Sequence, residues 1–271
     1  PPMAFVLAIV NQKGGVGKTT TAVNLGAALG GLGRRVLVAD CDPQSNATRS
    51  LGVHKDPPVT LYDGLVGRGR GLTGAILAGQ NGRNLDLLPA APGLAGAEVE
   101  LVAMSNREGR LDEVLASLKE GYDYVLLDCP PSLGLLSVNA LVAADGVIVP
   151  VQCEYLSLEG LGLLTRTLRL VKAHLNPRLE LTGVVLTMFD SRTKLAAQVV
   201  TEVSKHFPGQ RFANVIPRSV RLSEAPSYGE TIDVYAPGSP GAVAYAGLAQ
   251  ELIQRVEGGA ADGAGQPGVG Q

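Results

Sequence analysis

Short apolar runs alternate with longer helical patterns along most of the chain. Residues 5–10, 35–40, 84–88, 124–128, 146–151, 181–188 and 212–216 predict strands. Most are unbroken Val/Leu/Ile runs, as expected where both faces of a sheet are covered. Between them, 18–32, 107–120, 134–144, 158–175, 194–207 and 240–257 carry helical spacing. Such alternation predicts βαβ units, and hence an α/β fold: a doubly wound, mainly parallel sheet flanked by helices. The segment 52–83 is Gly-rich and weakly patterned, so short helices and loops are expected there. After Glu257 the chain reads GGAADGAGQPGVGQ, with too little apolar surface to order itself. The expected organisation is one folded domain, 1–257, and a disordered Gly/Ala-rich tail, 258–271. No internal repeat is visible.

Composition narrows the function classes. A length of 271 residues suits one large α/β domain. Apolar residues make up 45% and charged residues 18%, a globular balance. Aromatics are only 4% with no Trp, so Ala, Val, Leu and Ile must build the core. The formal net charge of −2 gives no global basic field, so a nucleic-acid partner would need a local patch. Cys41, Cys129 and Cys153 form no CxxC pair, which predicts reduced, buried thiols in a cytoplasmic protein. The longest uncharged stretch, 234–250, is interrupted by Pro237 and Pro240 and is shorter than the ~20 residues a spanning helix needs. The run at 5–10 has no basic segment before it and no small-residue cleavage site, so it is expected as a strand rather than a leader. His54, His174 and His206 are scattered and read as surface or packing residues.

The strongest chemical signal is Lys13-Gly14-Gly15-Val16-Gly17-Lys18-Thr19-Thr20, set between a strand and a helix. That context is what a phosphate-binding loop requires. Glycines let consecutive backbone N–H groups curl around phosphate oxygens, and the helix start adds its positive dipole end. Lys18 is placed to meet the β/γ-phosphates and the Thr19 hydroxyl to ligate Mg²⁺. Two further strands end in acids: Asp40 with Asp42 in VLVADCDPQ, and Asp128 in YVLLDCPPS. Carboxylates there lie at the carboxyl edge of the sheet, where open α/β folds bind ligands. Asp128 has the arrangement of a Walker B acid, which holds Mg²⁺ directly or through water.

KGGVGKTT departs from the common phosphate loop, with Gln12 at its first glycine position and the extra Lys13. In this it resembles the deviant P-loop of the ParA/MinD superfamily of ATPases. Asp40-Cys41-Asp42-Pro43-Gln44 and Asp128-Cys129-Pro130-Pro131-Ser132 resemble that family's two switches, and the blocks at 150–160 and 215–226 resemble the short chromosomal ParA type often called Soj. The resemblance runs from about residue 5 to 257 and implies a single-domain P-loop NTPase with ATP as substrate and Mg²⁺ as cofactor. It implies that Lys13 reaches the phosphates held by a partner subunit, and that Asp42 positions the attacking water near the metal while Asp40 supports its loop. Met188, Asp190 and Pro217 are the implied adenine contacts. The family resemblance further implies ATP-driven homodimerisation, nonspecific double-stranded DNA binding, and hydrolysis stimulated by a ParB-like partner, in a cytoplasmic, nucleoid-associated protein.

Local charge bears on the partner. Arg192, Lys194, Lys205, Arg211, Arg218 and Arg221 lie between Asp190 and Leu222 with few acids, which suits sequence-independent phosphate contacts. An ordinary solvated helix face gives the same pattern. The resemblance points to Arg192 and Arg221 as DNA-binding residues. A membrane-positioning ATPase of the MinD type is the alternative, disfavoured because the last helix has little basic character. A filament-forming protein is a third reading. An iron–sulfur relative is disfavoured by the position of Cys129, immediately after Asp128.

Overall fold

The computed structural model describes residues 3–67, 72–82, 84–154 and 159–258. Strands β1 (Phe5–Ile9), β2 (Val36–Asp40), β3 (Leu85–Leu88), β4 (Tyr124–Asp128), β5 (Gly146–Gln152) and β6 (Glu180–Thr187) make a six-stranded sheet in the order β3-β2-β4-β1-β5-β6. Each of these pairings is parallel. Parallel neighbours need crossovers, and helices supply them on both faces. In chain order these are α1 (Lys18–Gly31), α2 (Asn46–Ser50), α3 (Leu61–Leu65), α4 (Leu94–Val102), α5 (Arg110–Ala116), α6 (Leu135–Ala143), α7 (Glu159–His174), α8 (Lys194–His206), α9 (Val220–Glu224), α10 (Ile232–Tyr235) and α11 (Pro240–Ile253).

Strand side chains alternate faces, so the sheet divides the core in two. Leu7, Ile9, Val38 and Leu126 pack with α1 and α11, including Leu25, Leu29, Tyr245 and Leu248. Val6, Ala8, Leu37 and Leu127 pack on the other face against Leu101, Leu115, Leu136, Leu164 and Val199 of α4–α8. Small aliphatics dominate both halves, and Cys41, Cys129 and Cys153 are buried free thiols.

The structure corrects the expected strand at 212–216. That segment runs along β6 without forming a regular strand: bridges Val184–Arg211 and Phe189–Pro217 flank it, and the Phe212 and Ile216 N–H groups donate to the Val184 (2.9 Å) and Leu186 (2.8 Å) carbonyls. Side chains complete the hold: Glu251 accepts from the Ala213 and Asn214 N–H groups, and Arg255 donates to the Gln210 and Arg211 carbonyls just before the segment and to the Thr182 carbonyl of β6. Two N–H groups that a regular ladder would satisfy, those of Ala213 and Asn214, are thus met by Glu251 of α11. The helix expected at 107–120 is shorter, α5 followed by a 3₁₀ turn at Lys119–Gly121, and α4 was not expected. Within 52–83 lie α3 and 3₁₀ turns at Leu72–Ala75 and Gln80–Gly82, while 68–71 and Arg83 are outside the described residues. Helix α11 ends at Ile253 in a π-type turn, Gln254–Gly258, and the rest of the expected tail lies outside the described residues. Among the described residues no helix is long and apolar enough to cross a membrane.

Gly183 marks how tightly the 210–212 segment presses on β6. A Cβ there would lie 2.4 Å from a Phe212 ring carbon and 2.8 Å from the Gln210 carbonyl oxygen. Backbone cannot yield as a flexible side chain does, so Gly183→Ala is expected to destabilise the fold by about 1–3 kcal/mol. Urea unfolding checks this, with a lower midpoint at unchanged slope.

Candidate active site

The loop between β1 and α1 is shaped for an anion. Gly15 (φ 72°) and Gly17 (φ 88°) sit in the left-handed region, which costs other residues roughly 1–2 kcal/mol. Gly17 starts α1 without a side-chain cap, and no acid occupies the first turn. The first helical N–H groups therefore remain available to a ligand. Three hydrogen bonds fix the loop to the sheet edge. Asn11 Nδ2 donates to the Pro150 carbonyl (2.7 Å), Asn11 Oδ1 accepts from Lys13 N–H (3.0 Å), and Thr187 Oγ1 donates to the Val16 carbonyl (2.8 Å). The motif alone singles out neither Asn11 nor Thr187. Their signal is position, since each is a polar residue at the carboxyl end of a strand.

Lys18 is buried, and its Nζ donates to the Lys13 carbonyl at 3.2 Å. Burial pulls its pKa down, while the Asp128 charge and, less strongly, the Asp42 charge oppose that fall. Asp40 and Asp128 are register partners on β2 and β4 and share the α1 face. Asp40 is caged: Oδ2 accepts from Thr48 N–H (2.8 Å) and Thr48 Oγ1 (2.7 Å), and Oδ1 from Asp42 N–H (3.1 Å). Burial nonetheless pushes its pKa up to about 6. Asp42 is buried at the start of the following loop, its Oδ1 accepting from Gln44 N–H at 2.9 Å.

Asp128 differs from its neighbours. Both carboxyl oxygens are buried without a hydrogen-bond partner. Burial, then the Asp40 charge, holds its pKa well above the usual carboxylate range, while the Thr19 hydroxyl and the Lys18 charge pull the other way. A buried carboxyl with both oxygens unmatched is a group waiting for a cation. Asp128, Thr19 and Asp42 offer hard oxygen donors, so the residues present fit Mg²⁺.

Beside Gly17 and Thr20 opens a cleft of about 380 Å³, lined also by Thr187, Met188, Pro217, Ser219, Leu222, Ser223, Pro226 and Tyr245. Of the implied adenine contacts, Met188 and Pro217 line this cleft, and Met188 takes a left-handed φ of 51°. Asp190 is not in that lining. Its carboxylate meets Arg192 through Nε (2.9 Å) and Nη2 (2.7 Å), which lowers its pKa to about 2. Arg192 is exposed yet committed to this pair. Arg221 is exposed and makes no ion pair among the described residues. Lys13 is half-buried in the loop.

A phosphate loop, two acid-terminated central strands and an adjoining cleft come together at one edge of a parallel sheet, the arrangement of a P-loop NTPase. A protein-family profile described as an AAA domain matches residues 4–181. The sporulation initiation inhibitor protein Soj of Bacillus subtilis is 53% identical over 92% of this chain and 98% of its own length. The chromosome-partitioning ATPase Soj of Thermus thermophilus is also 53% identical, over 93% of this chain and 96% of its own. The chain belongs to the ParA/Soj family of P-loop ATPases. A crystal structure of cobyrinic acid a,c-diamide synthase from Mycobacterium smegmatis with bound ADP and magnesium superposes with a TM-score of 0.83 and 40% identity, covering 95% of this chain and 97% of that one.

The unmatched carboxyl of Asp128 has a measurable cost in the ligand-free ParA/Soj fold. Folded-state pKa values raised above the unfolded value make stability greatest at low pH and lower as pH rises through them. For Asp40 and Asp128 that loss starts near the unfolded value of ~4 and passes through about 6 for Asp40. Asp128→Asn removes part of it, so ligand-free Asp128→Asn is expected to gain about 1–3 kcal/mol over wild type at pH 7. The gain should shrink toward pH 4 in urea unfolding series. A gain independent of pH would contradict the buried-charge account.

Proposed function

We propose that this chain is a DNA-segregation ATPase. Two copies close face to face on ATP, the closed dimer binds double-stranded DNA without sequence preference, and a ParB-like partner at a centromere stimulates hydrolysis and release. The single observation that carries the ATPase part is the convergence of the uncapped α1 start, Lys18 and the unmatched Asp128 on one sheet edge. The names of the Soj relatives, one a chromosome-partitioning ATPase, support the partitioning role.

In this reading the α1 N–H groups and Lys18 hold the β- and γ-phosphates. Bound Mg²⁺, held by Thr19 and by Asp128 and Asp42 directly or through water, would offset phosphate charge as the γ-phosphoryl departs. Asp42 orients the attacking water. Lys13 of the opposing copy adds a positive charge at the transferring group only when the two copies meet, so hydrolysis waits for the dimer. Met188 and Pro217 flank the base. Asp190 acts at one remove, through Arg192.

The DNA part rests on the exposed cations of the 190–222 segment, among which Lys194, Lys205 and Arg221 make no ion pair among the described residues. Nucleoid association follows from that binding. A membrane-associated role is less well supported, because the exposed positions of α11 include Val243, Ala246 and Gln250 and no cation.

Two variants separate binding from turnover. Lys18→Ala should lose nucleotide binding, read with a labelled ATP analogue. Asp42→Ala should keep ATP and dimerise in light scattering, but hydrolyse on the order of 10²-fold more slowly. Near-normal nucleotide affinity in Lys18→Ala, or normal turnover in Asp42→Ala, would remove that residue from its role.

DNA binding gives a graded test. Arg221→Ala should weaken binding to random duplexes uniformly and flatten the plot of log affinity against log salt by about 0.9. Arg192→Ala should cost less, since its guanidinium must first leave Asp190. Filter binding across a salt series with ATP, ADP and no nucleotide reads both slopes. Equal binding with ADP would defeat the ATP-gated reading.

A further inference from the structure

Helix α9 stands between the two activities. On one side Ser219 (its cap residue), Leu222 and Ser223, with Pro226 just beyond, line the cleft beside the phosphate loop. Arg221, on the same turn, is exposed and outside that lining. The helix is five residues long, lacks a side-chain cap hydrogen bond, and buries only Leu222. A helix this short has no stability of its own, so its place is set by what it packs on. Part of that packing surface is the cleft.

The chain after α9 is fixed firmly. Gly52, just beyond α2, crosses Gly229 so closely that a Cβ on Gly229 (φ 68°) would lie 2.5 Å from Gly52 Cα. Asn24 of α1 accepts from the Ile232 N–H at 2.7 Å. The Tyr235 hydroxyl donates to Glu224 at 3.0 Å, and Leu222 rests on Gly241 at the start of α11, where a Cβ would lie 3.0 Å away. One end of the segment is therefore anchored to the phosphate-loop helix and to the loop after the Asp42 switch. The other end faces the cleft.

We propose that α9 senses the nucleoside: Leu222 and Ser223 are positioning residues that take up the base and sugar end of the nucleotide and thereby fix Arg221 for a DNA phosphate. This rests on the DNA-binding reading above and adds to it a specific route. Phosphates alone fill the loop but leave α9 without its second wall. Base and sugar add contacts to its inner side and narrow the positions open to Arg221. Linkage makes the effect reciprocal, so DNA tightens the nucleoside-containing ligand more than one without it.

Two ligands separate the ends of the cleft, Mg-ADP and Mg-tripolyphosphate. In hydrogen–deuterium exchange of the full chain, both ligands should slow the amides of 13–20. Only ADP should slow those of 219–229, by about fivefold or more. Equal protection of 219–229 by tripolyphosphate, or none with ADP while 13–20 are protected, overturns the proposal. Leu222→Ala should abolish ADP protection at 219–229 while keeping it at 13–20, and Leu222→Met should restore it. Random-duplex binding with a non-hydrolysable ATP analogue provides the second readout. Leu222→Ala should then bind DNA on the order of tenfold more weakly at equal dimer content. Wild-type DNA affinity in Leu222→Ala overturns the sensing route alone, whereas failure of wild type to bind DNA under any nucleotide overturns the DNA reading and this inference with it.

Discussion

Two carboxyl groups and one ammonium group share a dry region at the carboxyl edge of the sheet, and the rest of the chain is arranged around that constraint. Asp40 and Asp128 stand side by side on β2 and β4, and Lys18 approaches from α1. In a low-dielectric setting such charges act strongly on one another and are costly to leave unmatched. Asp40 is matched by Thr48 and the Asp42 N–H. Asp128 is not. The site thus stores an unmet demand for positive charge beside a loop that demands negative charge. A magnesium–nucleotide complex carries the charges that would answer both.

Keeping these groups dry explains the architecture. Parallel strands covered on both faces bring their carboxyl ends to one edge, and the loops after β1, β2 and β4 meet there. Asn11 and Thr187 fasten the phosphate loop to the ends of β5 and β6, so the loop holds its shape from both sides. Cys41 and Cys129 follow the two acids and turn to the opposite core, where burial pushes their thiols up. They serve as small apolar residues sealing the far side.

The central strands and the phosphate loop were legible in the sequence because each is local: an unbroken apolar run, then a glycine pattern at fixed spacing. What was not legible depends on distant partners. The 212–216 run has strand composition, but its Ala213 and Asn214 N–H groups turn to Glu251, nearly forty residues away. Helix α4 begins in Pro92-Gly93-Leu94-Ala95-Gly96, whose glycines hide a helix that exists through burial of Leu94, Ala97 and Leu101. The Asp190–Arg192 pair was equally hidden, since only the fold shows that Asp190 faces the arginine rather than the cleft. Ser219, Leu222 and Pro226 lie in the 215–226 block, but only the fold brings them together with Tyr245 to line one cleft.

The same pairings bear on how a chain of net charge −2 would hold DNA in the proposed cycle. Of the cations between 190 and 222, Arg192 is tied to Asp190, Arg218 to Glu154, and Arg211 to Ser204 and the Phe212 carbonyl. Lys194, Lys205 and Arg221 are left exposed and without ion pairs among the described residues. Each phosphate contact contributes a salt slope of about 0.9, so three contacts give weak binding that moderate salt erases. In the proposed dimer, two copies held face to face would double the contacts and join them along one duplex, where the second set would bind at high effective concentration. Sparse free charge on one subunit is therefore a functional property in the proposed cycle. It makes DNA affinity a steep readout of whether the dimer is closed, which a strongly basic monomer would lose.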